Sequence, residues 1–195
     1  YISITTSANF GNMVSMALAT PFLPFLPLAA KQILLNNFLS DLPSIAISSD
    51  NVDPERVSSP QRWNIRDIQR FMIVFGLISS VFDILTFGVL LFVFHAGEAE
   101  FQTSWFIISL LTELAIALVV RTRRPFWRSR PGTVLLWSSM AVMALTFALP
   151  YLPCAGLLGF TPLPAGMMLA LASIVAGYVG GTEALKADFY RRQGS

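Results

Sequence analysis

Charge-free segments dominate this sequence, and the longest of them, residues 131–182, contains no Asp, Glu, Lys or Arg. A transmembrane helix needs about 20 apolar residues, so this segment is too long for one span. The stretch PYLPCAGLLGFTPLP in its middle predicts a break between two spans. Hydrophobic residues make up 54% of the 195 residues and charged residues only 12%, which is typical of a membrane protein.

The same criterion divides the whole chain into six predicted spans. A turn with three prolines separates the first two spans, and the short acidic sequence HAGEAE separates the third from the fourth. The predicted spans are residues 4–19, 30–47, 71–94, 101–120, 133–152 and 163–182. The sequence therefore predicts one all-α domain over residues 1–195, a bundle of six transmembrane helices in three hairpins, with the lipid bilayer as a partner.

The positions of Lys and Arg predict the orientation of this bundle, because cytoplasmic loops of membrane proteins are enriched in both residues. Of the 13 Lys and Arg residues, all except Lys31 lie in the predicted loops 48–70 and 121–130 or in the tail 183–195. We therefore expect both ends of the chain to be cytoplasmic. This distribution also accounts for the net charge of +2 without a nucleic-acid partner.

Three carboxylates, Asp41, Asp83 and Glu113, interrupt the predicted spans. An ionisable group in hydrocarbon costs about 2.5–3.5 kcal/mol on insertion scales, so each is a candidate for function. Glu113 either binds or relays a cation, or is protonated and hydrogen-bonded to a neighbouring helix. Asp83 suits a structural role equally well, because three hydroxyl side chains lie at helical spacing from it, on Ser79, Ser80 and Thr86.

The segment NNFLSDLP predicts a cation site in the second span. Helical spacing places oxygen-bearing side chains of Asn36, Asn37, Ser40 and Asp41 on one face, and Pro43 tends to open the turn and free backbone carbonyls. Hard cations such as magnesium or calcium prefer oxygen ligands of this kind. The alternative is that Asp41 caps a broken helix near the membrane interface.

The first span offers two further amides, Asn9 and Asn12, which share a helical face that could meet Asp41 across the hairpin. Such amides also hold transmembrane helices together without binding an ion, so both roles stay open. The sequence contains no phosphate-binding loop, dinucleotide-binding turn, Cys/His metal cluster or nucleophile motif. We therefore expect neither catalytic nor cofactor-binding residues in this chain.

Resemblance to a known family extends through the sequence. Three consecutive segments of this chain resemble the fifth and sixth membrane helices of P-type cation ATPases. They are SANFGNMVSMAL, the proline-rich turn and KQILLNNFLSDLPSIAISSDNVDPE, and Ser-Asp-Leu-Pro is the most specific part. The bacterial magnesium-translocating branch is similar in the segments PQRWNIRDIQRFMIVFGLISSVFDILTF, FQTSWFIISLLTEL, RTRRPFWRSRP and GLLGFTPLP. The resemblance covers essentially the whole chain, as the fifth to tenth helices of such a pump.

In that family the fifth, sixth and eighth helices help to form the ion site. Carried over position by position, the resemblance implies cation ligands at Asn9, Asn12, Asn37, Ser40, Asp41 and Glu113. Calcium pumps carry Glu where this chain has Asn12. This departure implies a site with one carboxylate fewer, which suits a single divalent ion. The resemblance to the magnesium-translocating branch implies that magnesium is the transported ion.

The resemblance also implies partners for this chain. In the intact pump, ATP phosphorylates an Asp in a cytoplasmic domain, and this sequence has neither Asp-Lys-Thr-Gly-Thr nor the actuator sequence Thr-Gly-Glu-Ser. We expect a fragment without a signal peptide, the C-terminal membrane domain of a translocase in the bacterial plasma membrane. Its other partners would be the N-terminal helices and cytoplasmic domains of the same pump. The alternative is a freestanding secondary cation carrier or channel without ATP coupling.

Overall fold

A computed structural model describes residues 2–47, 50, 65–122 and 124–193 of the chain. Most of the predicted loop 48–70 and the end of the predicted tail 183–195 lie outside these residues. The described residues form helices joined by turns, and no β-strand occurs among them. The all-α fold class is confirmed.

Within the described residues, six α-helices follow one another in the order of the six predicted spans. Their bounds are α1 Ile2–Ala19, α2 Ala30–Ala46, α3 Ile65–Gly88, α4 Glu98–Val120, α5 Thr133–Ala148 and α6 Ala165–Gln193. A π-helical turn, Val89–Val93, extends α3, and a 3-10 turn, Leu149–Tyr151, extends α5. Four segments of the described part of the chain are long and apolar enough to cross a membrane: Ile68–Val93, Glu98–Val120, Thr133–Tyr151 and Ala165–Phe189.

The central element of the bundle is α4, which packs against all five other helices. Within the described residues, 89% of the most apolar 18-residue stretch of α4 is buried, whereas the corresponding share in the three other candidate spans is 22–44%. Buried side chains, most of them apolar, occur around the whole circumference of α4, which is the pattern of a helix enclosed by others. At its first turn, the Gly97 N–H donates to the Glu100 carboxylate at 3.1 Å, which caps the helix.

The second helix differs from the sequence-based expectation at Pro43. We expected the proline to open the helix, but α2 continues through it to Ala46. Proline cannot donate a backbone hydrogen bond, so the helix loses the bond to the carbonyl four residues earlier. The hydroxyl of Ser44 adds a bond to the Ser40 carbonyl at 2.9 Å in the same turn. One missing bond close to the C-terminus does not interrupt the helix.

Glycines allow α1 and α3 to approach closely. A Cβ atom on Gly76 would lie 2.6 Å from the Phe10 ring and 3.1 Å from the Ser7 carbonyl oxygen, and one on Gly11 would lie 3.0 Å from the Gly76 carbonyl oxygen. The Ser80 hydroxyl donates to the Gly11 carbonyl at 3.1 Å across the same contact. Small residues at a membrane-helix interface permit this close packing.

Polar contacts fix the C-terminal end of α4. The Lys186 ammonium of α6 is buried and donates to the carbonyls of Val119 at 2.9 Å and Arg124 at 2.8 Å. Arg121 forms a salt bridge of 3.0 Å with Asp50, whose other oxygen accepts the Gly132 N–H at 2.6 Å. These contacts join the chain after α2, the end of α4 and the start of α5.

Replacing Gly76 by Ala is expected to destabilise the bundle, because the new methyl group would force apart α1 and α3. Overpacking of this kind costs about 1–3 kcal/mol. Circular dichroism of the detergent-solubilised protein should show a lower Tm for Gly76→Ala. Gly88→Ala is the matched control on the same helix, because nothing lies within 4 Å of its added Cβ atom. Equal Tm values for the two variants would contradict the close approach.

Candidate cation site

Glu113 lies on the central helix with polar side chains from α1 and α2 around it. Its side chain is 9% exposed, and the side chains of Asn36 and Ser40 lie against its carboxyl group. Asn12 of α1 and Tyr178 of α6 line the same narrow cleft. The fold therefore places a carboxylate, two amides and a hydroxyl together inside the bundle.

Two oxygen atoms in this cluster are buried without a hydrogen-bond donor among the described residues. They are Oε2 of Glu113 and Oδ1 of Asn36, and the Asn36 side chain is only 3% exposed. Buried polar atoms nearly always have a partner, and a missing one indicates an ion or water. These oxygens are therefore the atoms of the cluster that lack a partner, which a cation, a water or a proton on Glu113 would supply.

A cavity of about 400 Å³ adjoins the cluster and is lined by four asparagines. Asn9 and Asn12 reach it from α1, and Asn36 and Asn37 reach it from α2. Ser109 of α4 also lines the cavity and donates its hydroxyl hydrogen to Oδ1 of Asn12 at 3.2 Å. This bond joins α1 to α4 one turn before Glu113.

The structure places the six residues predicted as ligands in two groups. Asn12, Ser40 and Glu113 lie in or beside the cluster, and Ser40 is 5% exposed. The other three have exposed side chains: Asn9 and Asn37 line the cavity, while Asp41 is close enough for its charge to act on Glu113.

The oxygens of α2 are divided between two faces, not gathered on one as we expected. Asn36 and Ser40 are four residues apart, are buried and lie toward Glu113, whereas Asn37 and Asp41 are exposed. Neighbouring residues in an α-helix lie about 100° apart, so one turn cannot present all four side chains in the same direction. The ligand set implied by the family resemblance omitted Asn36, an amide that lies against the buried carboxylate. The pattern of NNFLSDLP had included Asn36, but it did not separate it from the exposed Asn37.

Asp83 has a different environment from Glu113, because donors from other helices occupy both of its oxygens. The hydroxyl of Ser15 donates to Oδ2 at 2.6 Å and the Trp105 indole N–H donates to Oδ1 at 3.1 Å. The hydroxyls on its own helix do not bind it; those of Ser80 and Thr86 donate to backbone carbonyls. Tryptophans in membrane proteins usually belong to interface belts, so the sequence offered no sign of this bond.

The chemistry of the cluster suits a hard cation. No group of three or more His, Cys, Asp or Glu side chains that could hold a metal occurs among the described residues. Carboxylate, amide and hydroxyl oxygens are instead the ligands that Mg²⁺ and Ca²⁺ prefer.

Comparison with known proteins agrees with this description. The model of the family described as "Cation transporting ATPase, C-terminus" matches residues 25–187. The chain belongs to this family. Two enterobacterial proteins named magnesium-transporting ATPase, P-type 1 align with the entire chain, at 44% identity in Escherichia coli K12 and 43% in Salmonella typhimurium LT2. A second protein of that name in S. typhimurium LT2 is 33% identical. The chain spans 22% of the length of these relatives.

Substituting Asn36 and Asn37 one at a time should show which face of α2 contributes to cation binding in this cation-ATPase domain. We expect Asn36→Ala to raise the Mg²⁺ concentration needed for thermal stabilisation about tenfold, because it removes an oxygen beside Glu113. The matched change Asn37→Ala should have a smaller effect, because its side chain is exposed. Thermal unfolding in detergent across a Mg²⁺ series measures both. A larger effect of Asn37→Ala would show that the outer face holds the ion.

Proposed function

We propose that this chain is the C-terminal membrane portion of an ATP-driven P-type pump that translocates Mg²⁺, and that it supplies part of the intramembrane cation site. This proposal rests on two buried oxygens of the cluster that have no hydrogen-bond partner, Oε2 of Glu113 and Oδ1 of Asn36. The names of the relatives support Mg²⁺ as the transported ion, and the family assignment supports a pump.

Within the proposed site, Glu113 supplies the negative charge, and Asn36 supplies a neutral amide oxygen from α2. Ser40 lies against the same carboxyl group and adds a hydroxyl. Asn12 contributes from α1; its Oδ1 accepts one hydrogen bond from Ser109 and has a second lone pair. Oxygens from three helices thus converge on one ion, so a movement of any of these helices changes its coordination.

The three exposed residues of the predicted set have a complementary role in this proposal. Asn9 and Asn37 line the cavity beside the cluster, and Asp41 adds a second negative charge on the neighbouring face of α2. A partly hydrated ion would meet these side chains first. They complete the ligand set when the remaining helices of the pump pack against this side of α1 and α2.

The charge count of the site favours one divalent ion. Glu113 and Asp41 together balance the two positive charges of Mg²⁺, and the position that holds Glu in calcium pumps holds the neutral Asn12 here. Mg²⁺ is usually held by one or two carboxylates, keeps several waters and requires nearly octahedral geometry. Two carboxylates, amides and room for water meet these requirements.

ATP hydrolysis would act on the site through the cytoplasmic ends of the helices. We propose that both ends of the chain face the cytoplasm and that the pump lies in the bacterial plasma membrane, as the positions of Lys and Arg predict. Asp50 then links the segment after α2 to Arg121 at the end of α4 and to Gly132 before α5. A displacement of the cytoplasmic domains would reach Glu113 through this link.

Reconstituted into lipid vesicles, the full-length pump that contains this chain should hydrolyse ATP faster when Mg²⁺ is raised above the amount needed for ATP itself. We expect Glu113→Gln to abolish this stimulation and Asp41→Asn to weaken it, because each removes a charge that the ion needs. Glu98→Gln is the matched control, since Glu98 is an exposed glutamate in the first turn of α4.

Two results would count against this proposal, the first against the site and the second against the pump. Full stimulation of the Glu113→Gln variant would remove Glu113 from the site. Mg²⁺ flux into vesicles that continues without ATP would instead identify a secondary carrier or channel built on the same residues.

A further inference from the structure

Asp83 is buried as completely as any carboxylate among the described residues, with 1% of its surface exposed, and the proposed cation site does not include it. Ser15 and Trp105, its two hydrogen-bond donors, are both 0% exposed. Both carboxylate oxygens accept a hydrogen bond, so neither is left without a partner. This is the opposite of Glu113, whose Oε2 atom has no donor.

The donors of Asp83 are located on the two helices that form the Asn12–Ser109 contact. Ser15 follows Asn12 by three residues on α1, and Trp105 precedes Ser109 by four residues on α4. Side chains three or four residues apart lie on one helical face. The Ser15–Asp83–Trp105 bridge and the Asn12–Ser109 bond are therefore two successive connections along the same α1–α4 interface.

Trp105 connects the Asp83 bridge to the cavity. Trp105 is one of the residues that line the cavity, together with Asn12 and Asn36. Its indole ring packs edge-on against Phe87, with ring centroids 5.0 Å apart, so its position is held by packing as well as by the bond to Asp83. A change at Asp83 would therefore move or release the indole beside the cation ligands.

We infer that Asp83 is a positioning residue that fixes the spacing of α1 and α4 at the cation site and so sets the preference of the site for an ion of the size of Mg²⁺. Mg²⁺ requires oxygens at about 2.1 Å in octahedral geometry, whereas Ca²⁺ accepts about 2.3–2.6 Å and a looser shell. A shift of a few tenths of an ångström between Asn12 and Glu113 is enough to change which ion fits. This inference rests on the proposed function.

The conservative variant Asp83→Asn distinguishes positioning from direct ion binding. Ser15 also lies 2.9 Å from the Gly11 carbonyl, so it can donate there and accept a hydrogen bond from the new amide. The amide oxygen can still accept the Trp105 indole N–H. Asp83→Asn therefore keeps the bridge without its charge, whereas Asp83→Leu removes the bridge and Trp105→Phe removes one donor but keeps a ring.

The experiment measures ATP hydrolysis by the full-length reconstituted pump against Mg²⁺ and against Ca²⁺. For Asp83→Leu and Trp105→Phe we expect a half-maximal Mg²⁺ concentration about tenfold higher, with a maximal rate within about threefold and a smaller change for Ca²⁺. For Asp83→Asn, the half-maximal Mg²⁺ concentration and the maximal rate should both stay within about threefold of those of the unmodified pump. Trp137→Phe is the matched control, because Trp137 is 64% exposed on α5.

The remaining outcomes distinguish a failure of the positioning role from a failure of the proposed site. If Asp83→Asn loses Mg²⁺ stimulation as fully as Glu113→Gln, Asp83 binds the ion through its charge and the positioning role is overturned. The role is also overturned if Trp105→Phe matches Trp137→Phe in both constants. Should Asp83→Leu fail to fold, the Trp105→Phe and Asp83→Asn results still decide. A Glu113→Gln variant that retains full stimulation would instead refute the proposed site itself.

Discussion

The burial of a carboxylate in the central helix is the constraint on which this structure depends. Glu113 lies in α4, which packs against each of the five other helices that the structure describes. A carboxylate away from water needs hydrogen-bond donors or a cation nearby. The neighbouring helices supply polar groups at this level, Asn36 and Ser40 from α2 and Asn12 from α1. The surrounding bundle thus places one unfavourable residue in a polar cluster, which is the core of the proposed cation site.

The three carboxylates within the predicted spans show how the environment divides one kind of side chain among three roles. Asp83 has a donor on each oxygen and joins helices. Glu113 has one oxygen without a donor and is the group that an ion would satisfy. Asp41 is exposed on the outer face of α2, from which it would add its charge to the proposed site. Hydrogen-bond donors, more than burial, separate the structural carboxylate from the one in the proposed site.

Much of the fold follows from local sequence. Long charge-free segments ended by proline and glycine predict helices in the observed order, because unpaired backbone groups and charges are too costly in hydrocarbon. The polar cluster was predicted less completely. Asn36 and Asn37 are chemically identical neighbours, and only their direction relative to α4 distinguishes them. Pro43 shows the reverse case, because its local effect was real but too small to interrupt α2 near its end.

The sequence by itself determined the class of the molecule, the positions of its helices and the supply of oxygen-bearing side chains within them, since these depend on hydropathy and residue type along the chain. Only the tertiary structure decided which side chains meet. Ser15, Asp83 and Trp105 are distant in sequence and have no common motif, yet hydrogen bonds join them. Helix packing sets such contacts through the rotation and spacing of whole helices, which depend on distant close approaches such as Gly11 against Gly76.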